Sequence, residues 1–407
     1  MEEKDRQDFK DTKLYNHLKD HLYSKKPLLG EDSPFSELLQ GMVNTILEGE
    51  MDTFMGAQKV SGAKNKRNGK TAKRVKSLAG DLYVETPRDR NSDFEPELIA
   101  KRQRELSSGL DEQILALYAQ GNSVEDVRRL LIKMFGVEIS AGKISQITDK
   151  VLPQIEAWKH RELESFYPII YLDAIHFKVR QEGRYQTNAF YTVYSVDWHG
   201  HRDLLGLYVQ DSEGAHKWGL IFNDLKKRGV KDVLVMCTDN LSGFSAVINE
   251  AFPQTIVQKC IVHQVRNSLK YVDEKDKKKV VSDLRKIYTS VSLIEAQSAL
   301  ETFAVKWEDK YGYIVEQWRA NWDELLAFMD FPQGMRKMIY TTNPVEALHR
   351  VMRKLIKSKA AWVSATALTK QLYLSLMHNQ KSWKKRAYGW VQIQRDIMKL
   401  YPDRVPN

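Results

Sequence analysis

From residue 168 onward the apolar period becomes strand-like, and the order of the segments that follow restricts the fold more than any other feature of this chain. PIIYLDAIHFKV, beginning at Pro168, is rich in β-branched and aromatic residues. Glu182-Gly183 turns the chain into a second strand, TNAFYTVYSVDW, and His199-Gly200 turns it into a third, RDLLGLYVQ. Ser212 is positioned to cap a helix that runs to about Arg228 and ends at Gly229. DVLVMCT is a continuous apolar run, the pattern of a strand buried on both faces. A short helix follows Ser242 and breaks at Pro253, TIVQKC is a further short strand, and IVHQVRNSLKYV a further helix.

The predicted order is β-β-β-α-β-α-β-α, three antiparallel strands followed by parallel strands with helical crossovers. That is the ribonuclease H-like arrangement, so the expected class is α/β with a mixed sheet. Two acids fall at telling places on it. Asp173 sits mid-strand in IIYLDAIHF, where a carboxylate is costly to bury unless paired or bound to metal. Asp239 stands where DVLVMCT runs out, at the carboxyl end of a strand, where open α/β sheets place ligands. First and fourth strands are neighbours in this arrangement, so the two carboxylates are expected to converge and to hold divalent cations through oxygen. The bland alternative makes each Asp a turn or cap residue. It suits Asp239, next to Asn240 and near Gly243, better than Asp173, which has no turn signal around it.

The chain has 407 residues, 42% hydrophobic and 29% charged, which predicts a globular protein of two or three domains. Two cysteines, Cys237 and Cys260, cannot build a disulfide framework and suit a reducing compartment. No apolar run reaches transmembrane length and the first residues are polar, so neither membrane partner nor signal peptide is expected, and a cytoplasmic location is. The net charge of +10 favours a polyanionic partner, nucleic acid first.

The N-terminal third reads as DNA-binding modules after a polar segment, residues 1–32. Ser33 and Pro34 open a helix whose stripe is Phe35, Leu38, Leu39, Met42, Val43, Ile46 and Leu47, with Gly56 as its stop. The stripe is either core or a dimer surface. Residues 57–77 carry Lys59, Lys64, Lys66, Arg67, Lys70, Lys73, Arg74 and Lys76 with no acid, a footprint for phosphates. LYVETPRDR reads as a strand into a turn and adds Arg88 and Arg90; residues 33–107 thus form a helix plus basic strand or loop module, for DNA binding or dimerisation. In residues 108–165, LDEQILALYAQ, VEDVRRLLIKMF and AGKISQITDKVL read as three short helices, capped at Ser123 (with Asp126) and Ser140 and broken at Gly136. They fit a helix-turn-helix, with Lys143, Ser145 and Gln146 toward bases or phosphates, though any three-helix bundle reads similarly.

The core's first part is placed at residues 166–272, an all-helical insertion at 273–335, the completion of the core at 336–385 and a tail at 386–407. The insertion carries Trp307, Trp318 and Trp322, read as core, with stacking on an unpaired base as the alternative. In TTNPVEALHR, Asn343 suits the N-cap, Pro344 the first helical position, and Glu346 the third. Locally, Glu346 is equally a capping residue and a cation ligand. His349, Arg350, Arg353 and Lys354 follow with positive charge suited to a phosphate backbone.

Several long motifs in one order resemble the Mutator-type bacterial insertion-sequence transposases: FSELLQGMVNTILEGEMDTFMGA, RNGK with VETPRDRNSDFEPELI, YLDAIHFKVR, MCTDNLSGFSAVINEAFP with KCIVHQVRN, and TTNPVEALHRVMRK. The resemblance covers nearly all of the chain after residue 33. It implies a DDE active site with Asp173, Asp239 and Glu346 as catalytic acids and ligands of two Mg²⁺ ions, Mn²⁺ being a substitute. It also implies supporting roles for Cys260, His263, Asn343 and Arg350. Implied partners are double-stranded DNA, as terminal inverted repeats and target, and a second copy in a homodimer. A non-mobile nuclease on the same core and a non-catalytic DNA-binding regulator are the rival functions.

Overall fold

The computed structural model describes residues 13–24, 33–77, 80–104, 106, 110–135, 138–181, 184–210, 214–240, 243–340, 343–359 and 361–406. They divide into two compact units, residues 1–150 and 151–407. The expected divisions at 107/108 and 165/166 do not appear as such.

In the first unit, α1 (Lys13–Tyr23) precedes α2 (Pro34–Val60), whose N-cap Ser33 accepts a hydrogen bond from the Phe35 N–H at 3.2 Å. Helix α2 runs past Gly56 to Val60. An interior glycine costs only about 1 kcal/mol relative to alanine, too little to stop a long helix by itself. Strands β1 (Arg67–Ser77) and β2 (Gly80–Asp89) form an antiparallel hairpin. Val43 and Leu47 of α2 pack with Val75, Leu82 and Val84 on it and with Ile99 in the segment that follows. The helical stripe is therefore divided: Val43 and Leu47 are core, while Leu38, Met42 and Ile46 remain exposed.

Helices α3 (Leu110–Ala119), α4 (Val124–Phe135) and α5 (Ala141–Asp149) pack on one another. The Ser123 hydroxyl accepts from the Asp126 N–H at 3.1 Å, and the Asp126 carboxylate accepts from the Ser123 N–H at 3.0 Å, a reciprocal capping box. Ser140 caps α5 through the Lys143 N–H. Gly136 lies outside the described residues.

The second unit opens with α6 (Leu152–Lys159) and then builds a five-stranded mixed sheet. Strands β3 (Phe166–Gln181), β4 (Arg184–Val196) and β5 (Arg202–Gln210) are antiparallel neighbours; β6 (Asp232–Thr238) and β7 (Ile256–Lys259) join them in parallel, giving the order β5-β4-β3-β6-β7. Helices α7 (Ala215–Lys227) and α8 (Phe244–Ala251) connect β5 to β6 and β6 to β7, and α9 (Ile261–Ser268) follows β7. The predicted element order is observed. Gly214 and Gly243 hold the N-cap positions of α7 and α8. The expected caps Ser212 and Ser242, like the Glu182-Gly183 turn, lie outside the described residues.

Period-two alternation gives the sheet two apolar faces. Ile170, Leu172, Tyr191, Val193 and Met236 pack with Trp218, Ile221, Phe222, Phe244 and Ile248 of α7 and α8. Ile169, Tyr171, Phe190, Tyr194, Val235 and Cys237 belong to the cluster shared with the helices that follow. Those are α10 (Glu274–Tyr288), α11 (Leu293–Ala320), α12 (Trp322–Leu326) and α13 (Gln333–Ile339), then α14 (Asn343–Ser358), α15 (Ala365–His378), α16 (Gln380–Trp383) and α17 (Trp390–Leu400). Helix α11 is broken at Tyr311 (φ −135°, ψ 42°), next to Gly312. Residues 386–407 are no loose tail. Trp390, Ile393 and Ile397 are buried, the Trp390 indole N–H donates to the Trp198 carbonyl at 2.9 Å, and Arg404 grips the Asp232 carboxylate at 2.7 and 2.9 Å. Gly200, at φ +82°, is needed there, because a Cβ would lie 2.3 Å from the Trp390 ring.

Candidate active site

The parallel pairing of β3 and β6 sets Tyr171 opposite Cys237. Asp173, still on β3, and Asp239, one residue past the end of β6, each follow two residues later, so the register brings the two acids to the same end of neighbouring strands. Asp173 keeps the parity of Tyr171, whose phenol donates to the Met338 carbonyl at 2.9 Å. It therefore points to the side of the sheet covered by α13 and α14.

The Asp173 carboxylate is held from two directions. One oxygen accepts from the Ala174 N–H at 2.7 Å, and the other lies 3.3 Å from Nδ1 of His349, on α14. His349 is 2% exposed. Burial, with the nearby charges of Arg353 and His263, pushes its pKa down to about 3. Its imidazole is therefore neutral. Thr192 donates to the Asp173 carbonyl at 3.0 Å, and its oxygen lies 3.4 Å from His349 Nε2. A proton on Nδ1 suits the contact with the carboxylate; Nε2 is then bare, and since the Thr192 proton goes to the Asp173 carbonyl, the 3.4 Å approach to Nε2 is a packing contact.

Asp239 is partly buried, and that burial raises its pKa, offset in part by His263. His263 is carried by the first turns of α9. That helix is fastened to the strand ends where the Cys260 N–H donates to the Thr238 carbonyl at 2.8 Å and the Ile261 N–H to the Tyr340 carbonyl at 3.2 Å. A hydrogen bond with Cys260 raises the His263 pKa, burial opposes it, and the charges of Cys260, Asp173 and Asp239 add to the rise. Nδ1 of His263 is buried with no hydrogen-bond partner among the described residues.

Two carboxylates side by side, one of them short of compensating positive charge, fit a divalent cation bound through oxygen. Among the described residues no group of three His, Cys, Asp or Glu side chains converges on one point. Glu346 stands in the first turn of α14, three residues before His349, and its side chain, like that of Asn343, lies outside the described residues. One test follows directly. Without divalent metal, Asp239→Asn is expected to raise the melting temperature by a few degrees, because a poorly compensated buried charge is removed. Added Mg²⁺ should then stabilise the wild type and not the variant. A variant no more stable than wild type in chelator would contradict the burial cost.

The remaining residues of interest are dispersed. Arg350, Arg353 and Lys354 are exposed on α14. Cys260 is buried. On α5, Gln146 is exposed and Lys143 partly so. The basic run of residues 57–77 is less free than its local composition indicates. Arg67 bonds Glu48 and Asp52, Lys70 bonds Glu48 and Glu85, Arg74 bonds Asp81, and Lys73 donates to the Ala100 and Lys101 carbonyls. Lys66, Lys76, Arg88 and Arg90 are exposed, with no ion pair among the described residues. Trp307 and Trp318 are buried and donate to Asp283 and to Ser268, so both are core residues. Trp322 is half-buried against the same cluster. Sequence reasoning missed the link of His349 to Asp173; its position one turn after Glu346 was the available signal.

Residues 12–386 match the family described as "Transposase, Mutator family". The chain is 36% identical over 382 residues to the transposase for insertion sequence element ISRM3 of Rhizobium meliloti, covering 93% of this chain and 95% of the relative. It is 37% identical over the same length, with the same shares covered, to a probable transposase for an ISRM3-like element of Sinorhizobium fredii. Among solved structures, the Drosophila P element transposase strand transfer complex matches 72% of this chain and 85% of that one at 10% identity, with a TM-score of 0.30.

Proposed function

Because the chain belongs to the Mutator family of transposases, we propose that it cuts and joins DNA at the terminal inverted repeats of an insertion sequence, with Asp173, Asp239 and Glu346 as its catalytic acids on a ribonuclease H-like core. The register of β3 and β6 carries this reading, since it makes neighbours of two acids that the chain separates by a strand pair and a crossover. Helix α14 supports it further: His349 lies against Asp173, and Glu346 precedes it by about 5 Å along the helix axis.

Asp173 and Asp239 would hold the cations, oriented by Ala174, Thr192 and His349 on one side and by the α9 turn bearing His263 on the other. A pair of Mg²⁺ or Mn²⁺ ions, when bound, supplies activation of the attacking oxygen and charge stabilisation at the leaving oxygen. Water attacks the phosphodiester at the element end, and the freed 3′-hydroxyl attacks the target strand; no covalent bond to the protein is needed. Helices α3–α5 act as the helix-turn-helix that reads the repeats, and two copies hold the two ends. Among the described residues no helix is long and apolar enough to cross a membrane.

The test is a strand-transfer assay with duplexes carrying the terminal repeats, a target plasmid and Mg²⁺. Joined product that depends on the repeats is the expected result. Cutting without joining would point to a nuclease, and metal-independent binding without cutting to a regulator.

A further inference from the structure

The charges of α10 are sorted by face. Val280, Leu284 and Ile287 are its buried side. Its two aspartates lie on the flank toward α11, where Asp276 pairs with Lys310 at 2.5 Å, and Asp283 with Lys306 at 2.6 Å and with the Trp307 indole at 3.1 Å. Asp273 also pairs with Lys310, and Glu274 with Lys277. Lys275, Lys278, Lys279 and Arg285 are left exposed, with no ion pair among the described residues. At about 100° per residue these four occupy a sector centred opposite the buried side.

Positive charge continues onto α9, the helix that carries His263 near the two acids. On α9, Arg266 stands one turn after His263, and Lys270 follows about 10 Å beyond His263, in the turn that closes the helix. Both are exposed, with no ion pair among the described residues. Tyr271 is 70% exposed, and the Lys270 ammonium lies 5.2 Å from its ring. The elbow of α9 and α10 therefore presents six exposed cations with no ion pair among the described residues, of which Lys275 also lies close enough to Asp273 and Asp276 to lower their pKa values.

We propose that this elbow is a second DNA-backbone surface, separate from residues 57–90 and from α5, along which the strand held at the carboxylates continues. The proposal rests on the transposase reading above. Duplex DNA offers one phosphate charge per about 1.7 Å of axis, so a lane of about 15 Å along α10 meets several of them. The aromatic face of Tyr271 offers a stacking platform beside an opened end. Nothing on the elbow reads bases, so its contribution is the same for any sequence.

The experiment compares full-length wild type with a variant carrying Lys270→Gln, Lys275→Gln, Lys278→Gln and Lys279→Gln, and with the matching Lys→Arg set. Binding is measured against salt on a duplex bearing the terminal repeat and on an unrelated duplex. The Gln variant should bind both duplexes ten- to a hundredfold more weakly at about 0.1 M salt, with its salt slope reduced by about 3 to 4. The Arg set should restore both, and melting should be unchanged. Wild type that binds while the Gln variant keeps the full slope overturns the surface alone. So does a loss confined to the repeat. Wild type that binds neither duplex overturns the transposase reading, and the surface with it.

Discussion

Asp173→Asn is expected to lower strand cleavage by at least about 10³-fold while leaving affinity for repeat-bearing DNA within about twofold. The substitution is nearly isosteric. The amide oxygen can still accept from the Ala174 N–H, now at 2.7 Å, so the local backbone has no reason to move. What disappears is the negative charge beside Asp239. Single-turnover cleavage of an end-labelled duplex in Mg²⁺, with binding measured in parallel, separates the two effects. Asp232→Asn is the control: Asp232 is clasped by Arg404 at the opposite end of β6, so its loss should cost stability and leave cleavage intact. Wild-type cleavage by Asp173→Asn would defeat the assignment of the acids.

His349→Ala should reduce cleavage about 10- to 100-fold, the usual cost of removing a group that orients a ligand. It should also destabilise the second unit by about 2–3 kcal/mol, since a large buried side chain is deleted. The pH dependence is more diagnostic. The native pKa of His349, near 3, lies below its ordinary value of 6.5. Below about pH 6.5 the unfolded chain takes up a proton that the native state refuses. The stability due to the neutral ring is thus fully present above pH 6.5 and is lost as the pH falls toward 3, by at most about 1.4 kcal/mol per pH unit. His349→Gln lacks this proton uptake. Between pH 6.5 and 4.5 the wild type should lose about 2 kcal/mol more than His349→Gln, read from urea midpoints at each pH. Parallel curves would mean that the ring is not held neutral.

The sheet was readable because its signals are local. A run such as DVLVMCT is buried on both faces whatever follows it, and the caps at Ser33, Ser123 and Ser140 act within three residues. Asp173 stood out for the same reason, as a charge inside an apolar strand. Interactions between distant segments were not readable. Residues 57–77 contain no acid, yet Glu48 and Asp52 reach back to Arg67 from the preceding helix, and Asp81 and Glu85 reach across from the partner strand. His349 reads as one cation among several on a basic helix, and only packing against β3 makes it a buried neutral ring. Residues 151–165 read as the end of the N-terminal module because α6 is helical like α3–α5. Contacts such as Arg161 donating to the Leu204 carbonyl at 2.7 Å assign them to the sheet instead. Trp390, Ile393 and Ile397 have the spacing of a buried helix face, and their burial makes residues 386–407 part of the folded unit and not a tail.

Helices α10 to α13 lie in the chain between Asp239, just past the end of β6, and the helix that begins at Asn343. A ribosome that has just made Asp239 must add another 107 residues before Glu346 exists, which at ordinary elongation rates takes about 5–20 s. On the proposed reading, a nascent or prematurely terminated chain can own its first two acids and still be inert. The DNA that encodes it is thereby spared by any chain whose synthesis is not nearly finished.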